Sequence, residues 1–518
     1  MPYILKGNRK QPGNIVGLFD SRVKEPGIPL DVEDGKATLS PPDQHCLVIG
    51  STGRGKTRRV LYPSLILSAR AGHSIICLDP KGECFRNTAE EIRRCGHEIK
   101  VLNLRNPSCG DRWSPFSLVQ RYWDAGDQSR AMILLKDITD VVMQPVRSER
   151  DGFWHMSACD TLIGFAVLLL EKKKPLTFES IHHLVNEFYS YRDRRDDFRQ
   201  ALDPDAYSYR RICTLTNLDS DVTSSCVVST FNAAVGRFAD QKDVCDLLLG
   251  SDYDLTDIGR RPTAFFIVLP DETTALHPIA SLFIAQSYAE LINYADSHEE
   301  NTLPNRVDYF IDEFGSLSGT EWPAKLTAAR SRGIRFVLAL QTLDQLAEHY
   351  GKYGARTITG NCRVIEYLGG KDMEAMRLFE ELGGYTTGPD GFRTPSLSVE
   401  NMAGMDMGQT IILDDTGRPR KGFLPDWEAW GIHKKADLSE TRREMATYRL
   451  PDISDFWRNP GDGGGHGTDE IDVKSVESLP PEKKLELMNA MFPPPTPEEQ
   501  LEIERILKSI DEGEELPF

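Results

Sequence analysis

The string Gly50-Ser-Thr-Gly-Arg-Gly-Lys56-Thr57 has the form G-x-x-x-x-G-K-[ST], with an apolar run before it and a helical pattern after it, which is the context a phosphate-binding loop requires. Glycines at this spacing let backbone N–H groups curl around phosphate oxygens, and the start of the next helix adds its partial positive charge. Ser51, Thr52, Gly53, Arg54, Gly55, Lys56 and Thr57 are therefore the expected cradle for ATP. Lys56 is expected to reach the β- and γ-phosphates. The Thr57 hydroxyl is expected to ligate Mg²⁺, a hard cation that prefers oxygen.

A second string, Val307-Asp-Tyr-Phe-Ile-Asp312-Glu313, is an apolar strand pattern that ends in two adjacent carboxylates. Asp312 is the expected acid on the Mg²⁺ side. Glu313 would polarise the attacking water, which points to hydrolysis rather than nucleotide binding alone. Gln341 closes the run Phe336 to Leu340 and reads either as a turn residue or as a sensor of the γ-phosphate. Arg330 lies in Ala328-Ala-Arg330-Ser-Arg332-Gly-Ile-Arg335, the clearest short basic cluster near these motifs. It reads either as a surface-helix position or as an arginine finger on a neighbouring subunit's ATP.

The elements that must position these residues are visible in the hydrophobic pattern. Short runs at Cys46 to Ile49, Ser74 to Leu78, Glu98 to Leu102, Ala264 to Leu269, Val307 to Ile311 and Phe336 to Leu340 are mostly apolar on both faces. Buried parallel strands read this way, and helical patterns between several of them imply βαβ crossovers. Between about residues 119 and 220 helical patterns replace strands, with helices expected at Gln128 to Val142, Trp154 to Glu171, Phe178 to Phe188 and Tyr191 to Leu202. A helical block interrupting a parallel α/β domain reads as an inserted all-α domain.

At 518 residues, 40% hydrophobic and 27% charged, the chain is ordinary globular protein, long enough for about two or three domains. Its ten cysteines lie scattered without Cys-x-x-Cys pairs, which argues for reduced core thiols rather than disulfides or zinc. The longest apolar stretch, Leu162 to Leu170, is about half of what a membrane-spanning helix needs, and the N-terminus resembles no targeting peptide; the expected location is the cytosol. Net charge is −18, but residues 459–518 hold 15 acids and 5 bases and so carry −10 of it. The remaining −8 leaves room for a local basic channel that holds a polyanion. The run Asn459-Pro-Gly-Asp-Gly-Gly-Gly-His-Gly reads as a linker into this acidic tail. In the tail, Thr496, Pro497 and Glu499 cap a helix whose Ile503, Ile506, Leu507 and Ile510 share one face.

Several strings together resemble the TraG/TraD-type coupling proteins of type IV secretion and conjugation, hexameric RecA-like motors related to FtsK and HerA. The resemblance covers most of residues 45–420. It rests on the phosphate loop, Leu78-Asp-Pro-Lys-Gly-Glu83 with Thr88-Ala-Glu, Arg112-Trp-Ser-Pro-Phe-Ser, Phe310-Ile-Asp-Glu-Phe-Gly315, Arg332-Gly-Ile, Leu340-Gln-Thr-Leu-Asp-Gln-Leu346 and Tyr353-Gly. It implies an α/β fold, a RecA-like P-loop NTPase with a mostly parallel sheet, an inserted all-α domain and a flexible acidic C-terminal tail. It also favours Gln341 as a phosphate sensor and Arg330 as a finger acting in trans, and sets Asp79 and Lys81 near the phosphates or a subunit contact. Typical members begin with transmembrane helices, whereas this chain reaches its phosphate loop after 49 residues without one. Membrane docking would then come from a separate membrane subunit of the secretion channel.

The expected division is a lead-in at 1–45, nucleotide-binding segments at 46–118 and 221–458, the inserted helical domain at 119–220, and linker and tail at 459–518. The leading functional expectation is an ATP-hydrolysing coupling protein, a homo-hexamer when active, that drives DNA or a relaxase or other protein cargo into a type IV secretion channel at the inner face of the membrane. A soluble HerA- or FtsK-like DNA translocase and an ATP-switched cargo adaptor remain the alternatives.

Overall fold

The doubly apolar runs form the centre of a nine-stranded sheet. Its parallel strands are β4 (Cys46–Ile49), β5 (Ser74–Asp79), β6 (Glu98–Asn103), β7 (Thr263–Val268), β8 (Val307–Ile311), β9 (Ile334–Leu340) and β10 (Val364–Tyr367). Two antiparallel strands, β13 (Gln409–Leu413) and β14 (Arg420–Phe423), close one edge, giving the order β14-β13-β10-β4-β9-β8-β5-β7-β6. All six strands expected from the sequence are present, each within two residues of its expected bounds. The computed structural model describes residues 14–456 apart from 148–151, 191–197, 199–201, 217–220, 318–320, 388–391, 416, 433 and 453–455. Most of the helix expected over Tyr191 to Leu202, and the whole tail with the amphipathic helix expected there, lie outside the described residues.

Alternation along each strand sorts side chains into two buried layers, as a sheet covered on both faces requires. Cys46, Val48, Ile75, Cys77, Ala264 and Phe266 face the layer that holds helix Tyr62–Arg70 and helix Glu83–Arg94. Leu47, Ile49, Ile76, Leu78, Phe265 and Ile267 face the other, where they merge with the core of the helical block. The expected all-α insertion thus shares its core with one face of the sheet. Its helices are Phe116–Asp124, Gln128–Met143, Gly152–Glu171, Phe178–Ser190, Tyr207–Thr216 and Asp221–Ala239. Helical packing continues past residue 220, because Asp221–Ala239 lies against Gly152–Glu171 and Phe178–Ser190. Helix Gly152–Glu171 has a mean hydropathy of 1.6 over 18 residues and is long and apolar enough to cross a membrane, yet 61% of that window is buried within the fold.

Strands β10, β13 and β14 escaped the sequence, and so did two further features. Residues 15–39 form a small antiparallel sheet of β1 (Ile15–Gly17), β2 (Pro29–Glu33) and β3 (Lys36–Leu39), which meets β14 where the Phe423 N–H donates to Asp31 Oδ1 at 2.9 Å. At the opposite edge, β6 is covered rather than left open, an arrangement that blocks strand addition. Residues 110–111 fold back along it, the Asp111 N–H donating to Val101 O at 2.6 Å, and a strap at 438–448 lies on that turn, where its Arg443 donates to the carbonyls of Pro107, Cys109 and Gly110 and to Asp246 Oδ2 at 2.9 Å.

Candidate functional site

Parallel register brings the motif-bearing loops together at the carboxyl ends of five adjacent strands, the usual ligand-binding rim of such sheets. Ile49 of β4 pairs with Leu340 of β9, so the phosphate loop and Gln341 leave the sheet side by side. Ile311 of β8 pairs with Leu78 of β5, which sets Asp312 beside Asp79. On the other flank Tyr367 of β10 pairs with Ile49, and the loop after β10 braces the phosphate loop: the Ser51 N–H donates to Gly369 O at 3.2 Å and the Lys371 N–H to Ser51 Oγ at 3.2 Å.

The loop has the backbone that phosphate binding needs. Gly53 and Gly55 take φ of 82° and 91°, left-handed backbone that favours glycine at both positions. Arg54 reaches out of the loop to Met405 O at 2.9 Å. Lys56 is buried, and its Nζ donates across the loop to Gly50 O at 2.7 Å. Burial lowers the Lys56 pKa, the carboxylates of Glu313 and Asp312 oppose that shift, and the charge of Lys81 adds to it. Lys81 thus lies within electrostatic reach of Lys56. Helical geometry starts at Lys56 with a π-type turn, Lys56–Leu61, that runs into helix Tyr62–Arg70.

Opposite the loop, Thr57 Oγ1 donates to Asp312 Oδ2 at 2.9 Å, and the Glu313 N–H donates to Asp312 Oδ1 at 3.0 Å. Burial raises the Asp312 pKa to about 6, and the neighbouring Glu313 carboxylate adds to the rise. Asp79 rises to about 6 for the same first reason, although the Phe85 N–H donates to its Oδ2 at 2.9 Å. Glu313 sits in left-handed backbone, φ 54° and ψ 46°, which costs a non-glycine residue about 1–3 kcal/mol. That turn ends β8 and swings the Glu313 carboxylate towards β9, where Gln341 Nε2 donates to its Oε2 at 2.9 Å. Thr52 Oγ1 completes the bridge to Gln341 Oε1 at 3.3 Å.

These residues fit Mg-ATP. Two left-handed glycines shape the loop into an anion-binding concavity, an ammonium group sits inside it, and a hydroxyl paired with a carboxylate offers the all-oxygen donors a hard divalent cation takes. Among the described residues no group of three or more His, Cys, Asp or Glu side chains could hold a metal by itself.

The basic cluster at 330–335 does not form a patch beside the site. Arg335 points into the sheet and forms a two-pronged ion pair with Asp308 on β8, at 2.7 and 3.0 Å, with both residues buried. Arg332 pairs with Asp296 at 2.9 Å. Arg330 precedes β9, at the opposite end of that strand from Gln341, and its 46% exposed side chain stands 3.8 Å from Asp43. Seven residues of strand separate the two ends, about 20 Å, so Arg330 cannot serve the phosphate loop of its own chain.

Sequence reasoning missed Gln345 and Asp372, which hold the loop behind Gln341. The N–H groups of Gln341 and Thr342 donate to Gln345 Oε1 at 3.1 and 3.4 Å, and the Leu343 N–H donates to Asp372 Oδ2 at 2.8 Å. Asp372 is the N-cap of helix Met373–Gly383, its Oδ1 accepting from the Ala375 N–H at 3.0 Å, so a cap preference was the available signal, and Gln345 stands in the Leu340 to Leu346 string without a role that residue type reveals.

A family model described as type IV secretory system conjugative DNA transfer matches residues 6–403. Type IV secretion system-coupling proteins VirD4 of Bartonella quintana (strain Toulouse) and Bartonella henselae are each 27% identical over 146 residues, 27% of this chain and 22% of the relative. The matched stretch thus spans less than a quarter of those relatives. Among solved structures, the bacterial conjugative coupling protein TrwBdeltaN70 in unbound monoclinic form aligns with a TM-score of 0.55 and 17% identity, covering 82% of this chain and 92% of that one. TrwB in complex with the non-hydrolysable ATP analogue ADPNP gives 0.56 and 17%, covering 83% and 95%. TrwB with ADP and Mg²⁺ gives 0.54 and 18%, covering 82% and 92%.

Proposed function

The chain belongs to the conjugative DNA-transfer family of type IV secretory systems, and from that premise we propose that it is a coupling ATPase that hydrolyses ATP to drive DNA, or protein attached to it, towards a secretion channel. The observation that carries the reading is the convergence of Lys56, the Thr57–Asp312 pair and the Glu313–Gln341 pair on one rim of the sheet.

In this reading Lys56 exchanges its bond to Gly50 O for the β- and γ-phosphates of ATP, where its charge offsets the negative charge that builds up on the transferring group. Thr57 and Asp312 would hold Mg²⁺, whose charge would neutralise phosphate oxygens. Glu313 orients a water and takes its proton as the water oxygen bonds to the γ-phosphorus and the bond to the β-phosphate oxygen breaks. Gln341, already on Glu313, carries the phosphate state into β9 and the helix that follows it. Arg330 lies too far away to act within its own chain, which suits a finger that completes a neighbour's site in a homo-hexamer. DNA, relaxase or other protein cargo, and a membrane subunit of the channel are the partners, and the protein works at the inner face of the membrane that this subunit provides.

Turnover with and without DNA tests the reading. The coupling-motor reading expects Mg-dependent ATP hydrolysis that rises several-fold with single- or double-stranded DNA. Slow hydrolysis indifferent to both would contradict a motor and leave an ATP-switched adaptor.

A further inference from the structure

The loop that carries Gln341 has its main-chain donors taken by side chains rather than by backbone. Gln345 Oε1 accepts from the N–H groups of both Gln341 and Thr342, while Asp372 takes that of Leu343. The Gln345 carboxamide is wedged against the turn that follows Glu313: a Cβ built on Gly315 would lie 2.8 Å from Gln345 Cδ and 2.9 Å from its Oε1. Gly315 belongs to the short 3-10 turn Phe314–Ser316, and Phe314 is anchored in the core by edge contact with Trp322 and by stacking on Tyr350. Gln345 therefore grips the backbone of Gln341 and abuts Gly315, in the turn that follows Glu313.

We propose that Gln345 is a positioning residue for hydrolysis: it fixes the main chain of Gln341 so that the Gln341 carboxamide stays on Glu313, and through Gly315 it ties that geometry to the Glu313 turn. This rests on the ATPase reading above. Gln345 bonds to the main chain of Gln341 and Thr342 and lies outside the Gly50 to Thr57 cradle, so its removal alters the orientation of Gln341 rather than nucleotide binding. Two donors, at 341 and 342, lose their acceptor, and Gln341 gains freedom to leave Glu313.

The test is a two-by-two set of full-length proteins, wild type, Gln345→Ala, Gln341→Ala and the double variant, assayed for steady-state ATPase activity and melting temperature. The expected result is a kcat about tenfold lower in Gln345→Ala with KM for ATP within about twofold, and a double variant no slower than Gln341→Ala alone. A residue that merely stabilised the fold would lower the melting temperature equally in both backgrounds and leave kcat per folded molecule unchanged. Wild-type kcat in Gln345→Ala, or losses that multiply in the double variant, would overturn the proposal. Gly315→Ala is the second arm, since its methyl group displaces the Gln345 carboxamide while residue 345 stays glutamine. It decides the matter if Gln345→Ala does not fold, with the same loss of kcat expected and undiminished turnover contradicting it. Absence of hydrolysis in the wild-type protein would instead sink the ATPase reading itself, an outcome distinct from active wild type with unaffected variants.

Discussion

Gln341 Nε2 donates to Glu313 Oε2 at 2.9 Å, joining the ends of the adjacent strands β8 and β9 directly above the phosphate loop. The contact puts a strand-end amide on the group that would handle the attacking water. Replacing Gln341 with Ala should lower kcat by about 10²-fold, because the carboxylate loses a donor that fixes its direction, while KM for ATP changes only a few-fold. Steady-state kinetics check this. Equal losses in binding and turnover would show that Gln341 helps to hold nucleotide rather than to orient Glu313.

Arg330 makes its nearest charged contact with Asp43, far from its own chain's loop. If it completes a neighbour's site, Arg330→Ala subunits mixed with Lys56→Ala subunits should regain part of the hydrolysis that each lacks alone. A mixture shown by native mass spectrometry to co-assemble, yet inactive, would rule out action in trans.

Glu366 lies wholly buried on β10, where burial raises its pKa to about 8, with the hydroxyl of Thr410, donating to Oε1 at 2.9 Å, and the charge of Arg420 opposing the rise. A raised carboxyl pKa means that the folded state binds the proton more tightly than the unfolded chain. Stability from this group is therefore full at low pH and is lost as pH climbs from about 4.5 to about 8. Glu366→Gln mimics the protonated form and should be more stable than wild type at pH 8.5 by about 1–3 kcal/mol, with the difference vanishing near pH 5. Chemical denaturation at the two pH values measures it. A pH-independent difference would mean that Glu366 does not titrate between the folded and unfolded states in this range.

Arg443 closes the sheet edge through three backbone carbonyls and Asp246, which also accepts from Arg112 at 2.8 Å and from the Ala446 N–H at 2.8 Å. Arg443→Ala should cost about 1–3 kcal/mol, since those carbonyls lose a donor while Asp246 keeps its other partners. Hydrogen exchange should rise first at 438–448 and along β6. Unchanged protection there would show that the strap's other bonds, such as Ala446 N–H to Asp246 and Arg112 to Glu444 O, hold it without the Arg443 side chain.

The sheet and the phosphate loop were legible because both follow rules of local pattern: doubly apolar runs for buried parallel strands, and glycines where the backbone must turn left-handed. The adjacency of Glu313 and Gln341 was not, since it depends on β8 and β9 being neighbours, an order no single run encodes. Arg335 read as a surface charge beside Arg330 and Arg332 because it is charged; its register partner across the sheet is Asp308, and the opposite charges in two otherwise apolar strands were the available signal. The strands at 15–39 and 409–423 are short and mix exposed with buried positions, so they carry little periodicity. Gln345 and Asp372 act through backbone groups of a distant loop, and residue type alone does not announce that.

The central claim is that Glu313 makes this rim hydrolytic. Glu313→Gln keeps the shape of the side chain and leaves Lys56, Thr57 and Asp312 in place, but removes the carboxylate that takes a proton from water. Single-turnover measurement with Mg-ATP is the direct test, following phosphate release and bound nucleotide together. The variant is expected to bind ATP with near wild-type affinity and to release phosphate at least about 10²-fold more slowly, so that ATP stays trapped. Phosphate release at the wild-type rate would contradict it, whatever the effect of changing Lys56.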